Sequence, residues 1–231
     1  MKYSNVTPAK FISRPNRFIA VVDINGSEEA VHVKNTGRCR ELLIKNCVVY
    51  LTKSDNAARK TKYDLIAVEK MCPDGRKMLI NMDSQIPNDL VEEWLATTKP
   101  FGKSAVIKRE YTYGNSRFDF YIESGNRKIL LEVKGCTLED NGIAKFPDAP
   151  TVRGVKHINE LISGTKVGYE TYIFFVAQMK GIEYFTPNYE THREFGDALR
   201  MAQKSGVKIM CYDCVVSPTE LYIDSSVRVI L

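Results

Sequence analysis

At 231 residues the chain is long enough for one large domain or two small ones, and its 44% apolar and 26% charged content is that of an ordinary folded protein. No stretch approaches the roughly 18 uninterrupted apolar residues that a membrane span needs, and the opening MKYSNVTPAKFISRPNRF is polar where a secretion signal would be apolar. The formal charge of +5 permits a polyanionic partner without demanding one.

Six cysteines (39, 47, 72, 136, 211 and 214) lack framework spacing, so reduced thiols in a cytoplasmic protein are expected. Cys211 and Cys214 form a lone C-x-x-C with no second pair, which reads as two strand cysteines rather than a zinc or redox site. Positive charge is uneven along the chain. Arg14, Arg17, Lys34, Arg38 and Arg40 fall early, Arg59, Lys60 and Lys62 follow, and Arg153 and Lys156 come later.

The first third is built of short alternating runs. RFIAVVDI ends at Asn25-Gly26, a hairpin signal, and EEAVHVK answers it. CVVYLTK, KYDLIAVEK and RKMLINM follow, giving five short strands and no long helix. Such a count predicts a small barrel over residues 1–83, of OB or SH3-like type. The open face of an OB barrel commonly binds nucleic acid or sugar. From Pro87 the period changes, and PNDLVEEWLATTK places Leu90, Val91, Trp94 and Leu95 at helical spacing.

The remainder, residues 84–231, alternates strands with helices and predicts an α/β domain with a mixed sheet. AVIKREYTY, SRFDFYIE and RKILLEVK read as three consecutive strands. TVRGVKHINELISG reads as a helix capped by Thr151 and stopped by Gly164, with a Val155, Ile158, Ile162 stripe. YETYIFFVAQ and VKIMCYDCVV are apolar strands on either side of the helix HREFGDALRMAQKSG.

One hairpin carries chemistry. A two-residue Gly125-Asn126 loop sets a register that opposes Tyr121 to Leu130 and Asp119 to Glu132. Phe118, Phe120, Ile122, Ile129, Leu131 and Val133 then line an apolar core face. Asp119, Tyr121, Leu130, Glu132 and Lys134 line the other, expected to be polar and open. Directly opposed carboxylates repel, and a divalent cation such as Mg²⁺, which takes one or two carboxylates plus water and phosphate oxygens, is the compensating charge to expect. Lys134 on the same face would meet negative charge on a phosphate. The plain alternative is a solvated strand with Glu123–Lys128 and Glu132–Lys134 ion pairs.

Asp119, the hairpin, then Glu132-x-Lys134 resembles the signature of the PD-(D/E)XK nuclease superfamily. The phrases NTGR (35–38), RKTKYDL (59–65), EYTYGNSRFDF (110–120), LEVKGCTL (131–138) and FPDAPTVRGVKHINEL (146–161) resemble, in this order, the sugar fermentation stimulation protein A family. The resemblance implies an OB-like N-terminal barrel followed by a restriction-endonuclease-like α/β domain, and a DNA-binding protein. It implies Asp119 and Glu132 as ligands of Mg²⁺ or Mn²⁺, the backbone carbonyl of Val133 as a third, and Lys134 as the catalytic lysine. Glu110, at the head of EYTYG, is a candidate extension of the acidic cluster.

Arg153, Lys156 and His157 match the family's R-G-x-K-H pattern, and their spacing predicts one outward helical face suited to a phosphate backbone, with Arg14, Arg17 and Arg38 as further nucleic-acid contacts. After FTPN the chain reads YETHREF, where the family often has an Asp-Pro pair before an aromatic residue, so a role assigned to that Asp does not carry over. Two functions follow: a metal-dependent nuclease acting on DNA, or a DNA-binding regulator linked to sugar metabolism whose nuclease-like site is silent. A sugar-binding barrel has no aromatic platform in the sequence to support it.

Overall fold

The computed structural model describes every residue except 36, 55 and 57, so Thr36 of the NTGR phrase lies outside the described residues. Six strands come first: β1 (Val6–Asn16), β2 (Ile19–Ile24), β3 (Ser27–Val33), β4 (Val48–Lys53), β5 (Tyr63–Met71) and β6 (Lys77–Asn81). They are ordered β3-β2-β1-β4-β5-β6, and a parallel pairing of His32 and Val33 on β3 with Asp64 and Leu65 on β5 closes the first five into a barrel. That is the OB arrangement. The five strands expected from the sequence are all present, but RKMLINM is β6 and lies outside the closure. The barrel is completed by β1, whose Pro8 and Pro15 obscure its strand pattern.

Helix α1 (Ile86–Thr98) then leads into the second domain. Here β7 (Val106–Tyr113), β8 (Ser116–Ser124), β9 (Arg127–Cys136), β10 (Leu138–Asp140), β11 (Ile143–Phe146), α2 (Val152–Lys166), β12 (Glu170–Ala177), β13 (Tyr184–Pro187), α3 (Tyr189–Lys204), β14 (Lys208–Val216) and β15 (Leu221–Val229) follow in order. The nine strands form one mixed sheet, β10-β11-β13-β15-β14-β12-β9-β8-β7, whose centre pairs β9, β12 and β14 in parallel. Side-chain alternation along these strands feeds two cores. Ile129, Leu131 and Val133 of β9 with Tyr172, Phe174 and Val176 of β12 pack under α1. Leu130 of β9 with Ile173 and Phe175 of β12 pack under α2 and α3.

Thr151 caps α2 by accepting a bond from the Gly154 backbone N–H at 3.0 Å, but the helix runs past the expected stop at Gly164 to Lys166. Cys211 joins the core under α2 and Cys214 the core under α1. Pointing to opposite faces of the sheet, they form no metal or redox pair, and all six thiols are free. No helix among the described residues is long and apolar enough to cross a membrane.

The two domains meet through buried polar contacts. Gln178, at the end of β12, donates from its side-chain amide to Asn81 Oδ1 at 2.8 Å and to the Asp83 carbonyl at 3.0 Å, and its own carbonyl accepts from Asn81 N–H at 2.9 Å. Lys70 of β5 reaches Glu139 of β10. Because these partners are fixed on both sides, the barrel is held in register with the C-terminal ends of β9 and β12.

Candidate functional site

The β8–β9 hairpin adopts the expected register, from Ser124–Arg127 through Tyr121–Leu130 to Phe120–Leu131. Gly125 takes a φ of +59° at the first loop position, which an L side chain would resist. Beyond Phe120 the ladder stops. Opposite Asp119 on β7, Glu110 holds a left-handed φ of +57°, and the β7–β8 pairing skips these two residues. The strand is therefore irregular at Asp119, with two corrections. Phe118 packs in the α2 core with Tyr121 and Leu130 instead of beside Phe120. Asp119 does not face Glu132 across a ladder; its Oδ2 accepts from the Val133 backbone N–H at 2.7 Å, and its Oδ1 accepts from Asn88 Nδ2 at 2.8 Å.

The face expected to be open is covered. Helix α2 lies across it, and Glu132 is only 2% exposed. Its Oε1 accepts from the Lys134 ammonium and is bonded to Nδ1 of His157 at 2.5 Å. Its Oε2 is buried with no partner. A buried carboxylate oxygen left bare is costly, and this is the site's most distinctive feature. Burial would raise the Glu132 carboxyl, but the His157 bond and the Lys134 charge outweigh it and hold the group below the usual range. Asp119 is pushed the other way, by burial first and by the Glu132 charge second.

Val133, on β9 between Glu132 and Lys134, ties the two carboxylates together through its N–H on Asp119. Gly135 follows. A Cβ there would meet Gln178 Oε1 at 2.6 Å and Pro87 Cγ at 2.7 Å, so its lack of a side chain lets α1 and the end of β12 close on the strand. Pro87 precedes Asn88, and the close approach thus places the amide that holds Asp119.

The other expected residues are dispersed differently. Glu110 does not extend the acidic cluster: its carboxylate sits at the surface, 2.7 Å from the Arg117 guanidinium. The outward face of Arg153, Lys156 and His157 splits. His157 is 5% exposed and turns to the sheet, because the buried arc of α2 is wide enough to include it beside Ile158 and Leu161. Arg153 is exposed and donates from Nε to His157 Nε2 at 3.3 Å. Lys156 bonds the Asn115 carbonyl at 2.8 Å.

On the barrel, Arg14 is spent on main-chain carbonyls, those of Arg17, Asn35, Gly37 and Arg38, all within 2.7–2.9 Å. It shapes a groove of about 340 Å³ lined by Arg17, Arg38 and Arg40, with Ala149 of the second domain at its wall. Asn88 and the structural use of Arg14 had no signal in the sequence. His157 did, through its motif, but as an outward group.

Barrel and sheet together define a two-domain architecture of an OB barrel followed by a mixed α/β domain, with a carboxylate pair and a lysine on its central hairpin. The description "SfsA N-terminal OB domain" matches residues 12–81, and "Sugar fermentation stimulation protein RE domain" matches residues 85–220. The chain belongs to the sugar fermentation stimulation protein (SfsA) family. It is 55% identical over 231 residues to the Clostridium beijerinckii sugar fermentation stimulation protein homolog, covering the whole of both chains. It is 58% identical over 217 residues to the homolog from Desulfitobacterium hafniense, covering 94% of this chain and 92% of that one. The structure of Pyrococcus furiosus SfsA in complex with Ca²⁺ superposes with a TM-score of 0.86 at 28% identity, covering 100% of this chain and 98% of that one.

Proposed function

We propose that the chain is a divalent-metal-dependent phosphodiesterase acting on DNA. The observation that carries this reading is the unpartnered Oε2 of buried Glu132, beside the half-buried carboxylate of Asp119. These are hard oxygen donors. Among the described residues no three His, Cys, Asp or Glu side chains stand together as a ready metal cage. Mg²⁺ or Mn²⁺ bound here would take the two carboxylates, the Val133 carbonyl and otherwise water or phosphate oxygens, a set that suits Mg²⁺. The Pyrococcus furiosus relative was solved in complex with Ca²⁺, an ion of the same oxygen-seeking class.

When bound, such an ion supplies Lewis acidity and a water of lowered pKa. The protein's own residues supply position and charge. His157 and Lys134 share Glu132 Oε1 and so leave Oε2 as the free donor. Asn88 and the Val133 N–H orient Asp119. The Lys134 ammonium, half-buried beside Glu132, would supply a cation against negative charge developing on a phosphate. Arg17, Arg38 and Arg153 are exposed cations for the DNA backbone.

A second reading, a DNA-binding regulator with a silent site linked to sugar metabolism, is favoured by one observation: Lys134 is already paired to Glu132, so the lysine has a charge partner without a phosphate. Incubation of plasmid and single-stranded DNA with and without Mg²⁺ or Mn²⁺, with Lys134→Ala beside the parent, separates the two. Divalent-dependent cleavage lost in the variant supports the enzyme. Binding without cleavage supports the regulator.

A further inference from the structure

The β1–β2 turn consists of two residues, Arg17 and Phe18, between the paired Asn16 and Ile19. Phe18 is 50% exposed, although a ring of this size ordinarily seeks the core. Its main chain is nevertheless immobilised: its N–H donates to Asn16 Oδ1 at 2.9 Å, and its carbonyl accepts from the Val33 N–H at 2.8 Å. The Arg17 guanidinium lies 5.8 Å from the ring centroid. Arg14 ties the Arg17 carbonyl to those of Asn35, Gly37 and Arg38, so the turn and the loop that carries Arg38 and Arg40 form one rigid rim.

Arg17, Arg38 and Arg40 are exposed and have no carboxylate partner among the described residues. Asp148 is set into the base of the loop against Gly37, where a Cβ would stand 2.0 Å from Oδ2, and Glu41 follows Arg40 in the chain; neither pairs with the three arginines among the described residues. Three guanidinium groups without ion pairs around an open groove, with an anchored aromatic ring next to the one from Arg17, combine the two elements that hold unpaired strands: charge for the phosphates and a flat π surface for a base. A duplex would use the charge and leave the ring idle, since its bases are already stacked.

We propose that this groove binds single-stranded nucleic acid, with one unpaired base stacked on Phe18 and the flanking phosphates on Arg17, Arg38 and Arg40. The inference rests on the nucleic-acid reading above and specifies the form of the ligand. The turn occupies the position between the first two barrel strands from which OB folds commonly contact oligonucleotides.

The test is fluorescence anisotropy with a labelled oligodeoxythymidylate of about 16 nucleotides, in chelator so that nothing is cut, against a duplex of the same length. Phe18→Ala is expected to weaken single-strand binding about tenfold and to leave duplex binding unchanged, while Phe18→Tyr restores it. Arg17→Ala combined with Arg38→Ala is expected to weaken both and to flatten the salt dependence. A parent that binds only duplex, or a Phe18→Ala protein that binds the single strand as the parent does, overturns the stacking proposal and leaves the DNA reading standing. A parent that binds neither form overturns both. An unchanged thermal melt of Phe18→Ala, expected for an exposed ring, excludes misfolding as the cause.

Discussion

His157 Nδ1 meets Glu132 Oε1 at 2.5 Å in the closed space between α2 and the sheet, and Lys134 is paired to the same oxygen. Two donors on one oxygen leave the other bare, and in the proposed function that asymmetry would make Glu132 a directed ligand. His157 is thus a positioning residue. His157→Ala is expected to raise the Mg²⁺ or Mn²⁺ concentration needed for half-maximal cleavage and to lower stability by about 1–3 kcal/mol, because a buried acceptor loses a partner. His157→Gln, which can still donate, should recover most of the metal dependence. A purely structural role would lower the melting temperature without moving the metal titration.

Gly135→Ala tests the approach of α1. The added methyl meets Gln178 Oε1 and Pro87 Cγ inside 3 Å, an overpacking expected to cost about 1–3 kcal/mol in urea denaturation. Because Pro87 precedes Asn88, cleavage should fall further than Asn88→Ala alone would cause. Equal stability of variant and parent would show that the contact yields freely.

Arg14→Lys tests the rim of the barrel groove. Lysine keeps the charge but cannot fork to four carbonyls. A loss of about 1–3 kcal/mol is expected by denaturation, with weaker oligonucleotide binding although net charge is unchanged. Binding that follows charge alone would be the same in both proteins.

A pH effect is expected far from the site. Glu170 is bonded by both Arg127 Nε and a terminal Arg127 nitrogen at 2.6 and 2.9 Å, with Lys208 at 3.3 Å. The Arg127 bond, against a smaller effect of burial, draws the carboxyl down to about 2. A depressed pKa contributes stability that is complete above the unfolded value of roughly 4.3 and is lost as pH falls toward 2. Glu170→Gln should therefore be less stable than the parent at neutral pH, with the gap closing across that acid window. A gap that persists at pH about 2 would assign the effect to packing instead.

The hairpin register was legible because its turn is short and its pattern has period two, so that Phe120, Ile122, Ile129 and Leu131 could share only one face. What the pattern does not record is what lies above the second face. Local sequence at β9 is the same whether Glu132 meets water or α2, and only the docking of a helix from residues 152–166 decides it. The same docking turns His157 inward. Strand β1 is not legible in the sequence because its prolines mask its alternation, nor is Asn88, because a contact between residues 88 and 119 leaves no periodic trace. The small β-barrel and the α/β domain, by contrast, follow from repeated local patterns that many residues share, while the choice of OB over an SH3-like barrel rests on the family resemblance.

The central claim is most directly tested by cleavage of plasmid and single-stranded DNA by the parent, Glu132→Gln and Lys134→Ala, each with and without Mg²⁺ or Mn²⁺. The account predicts cleavage by the parent only with the metal, and a drop of about 100-fold or more in each variant with the fold intact by circular dichroism. A parent that never cuts, or variants that cut as the parent does, would contradict it.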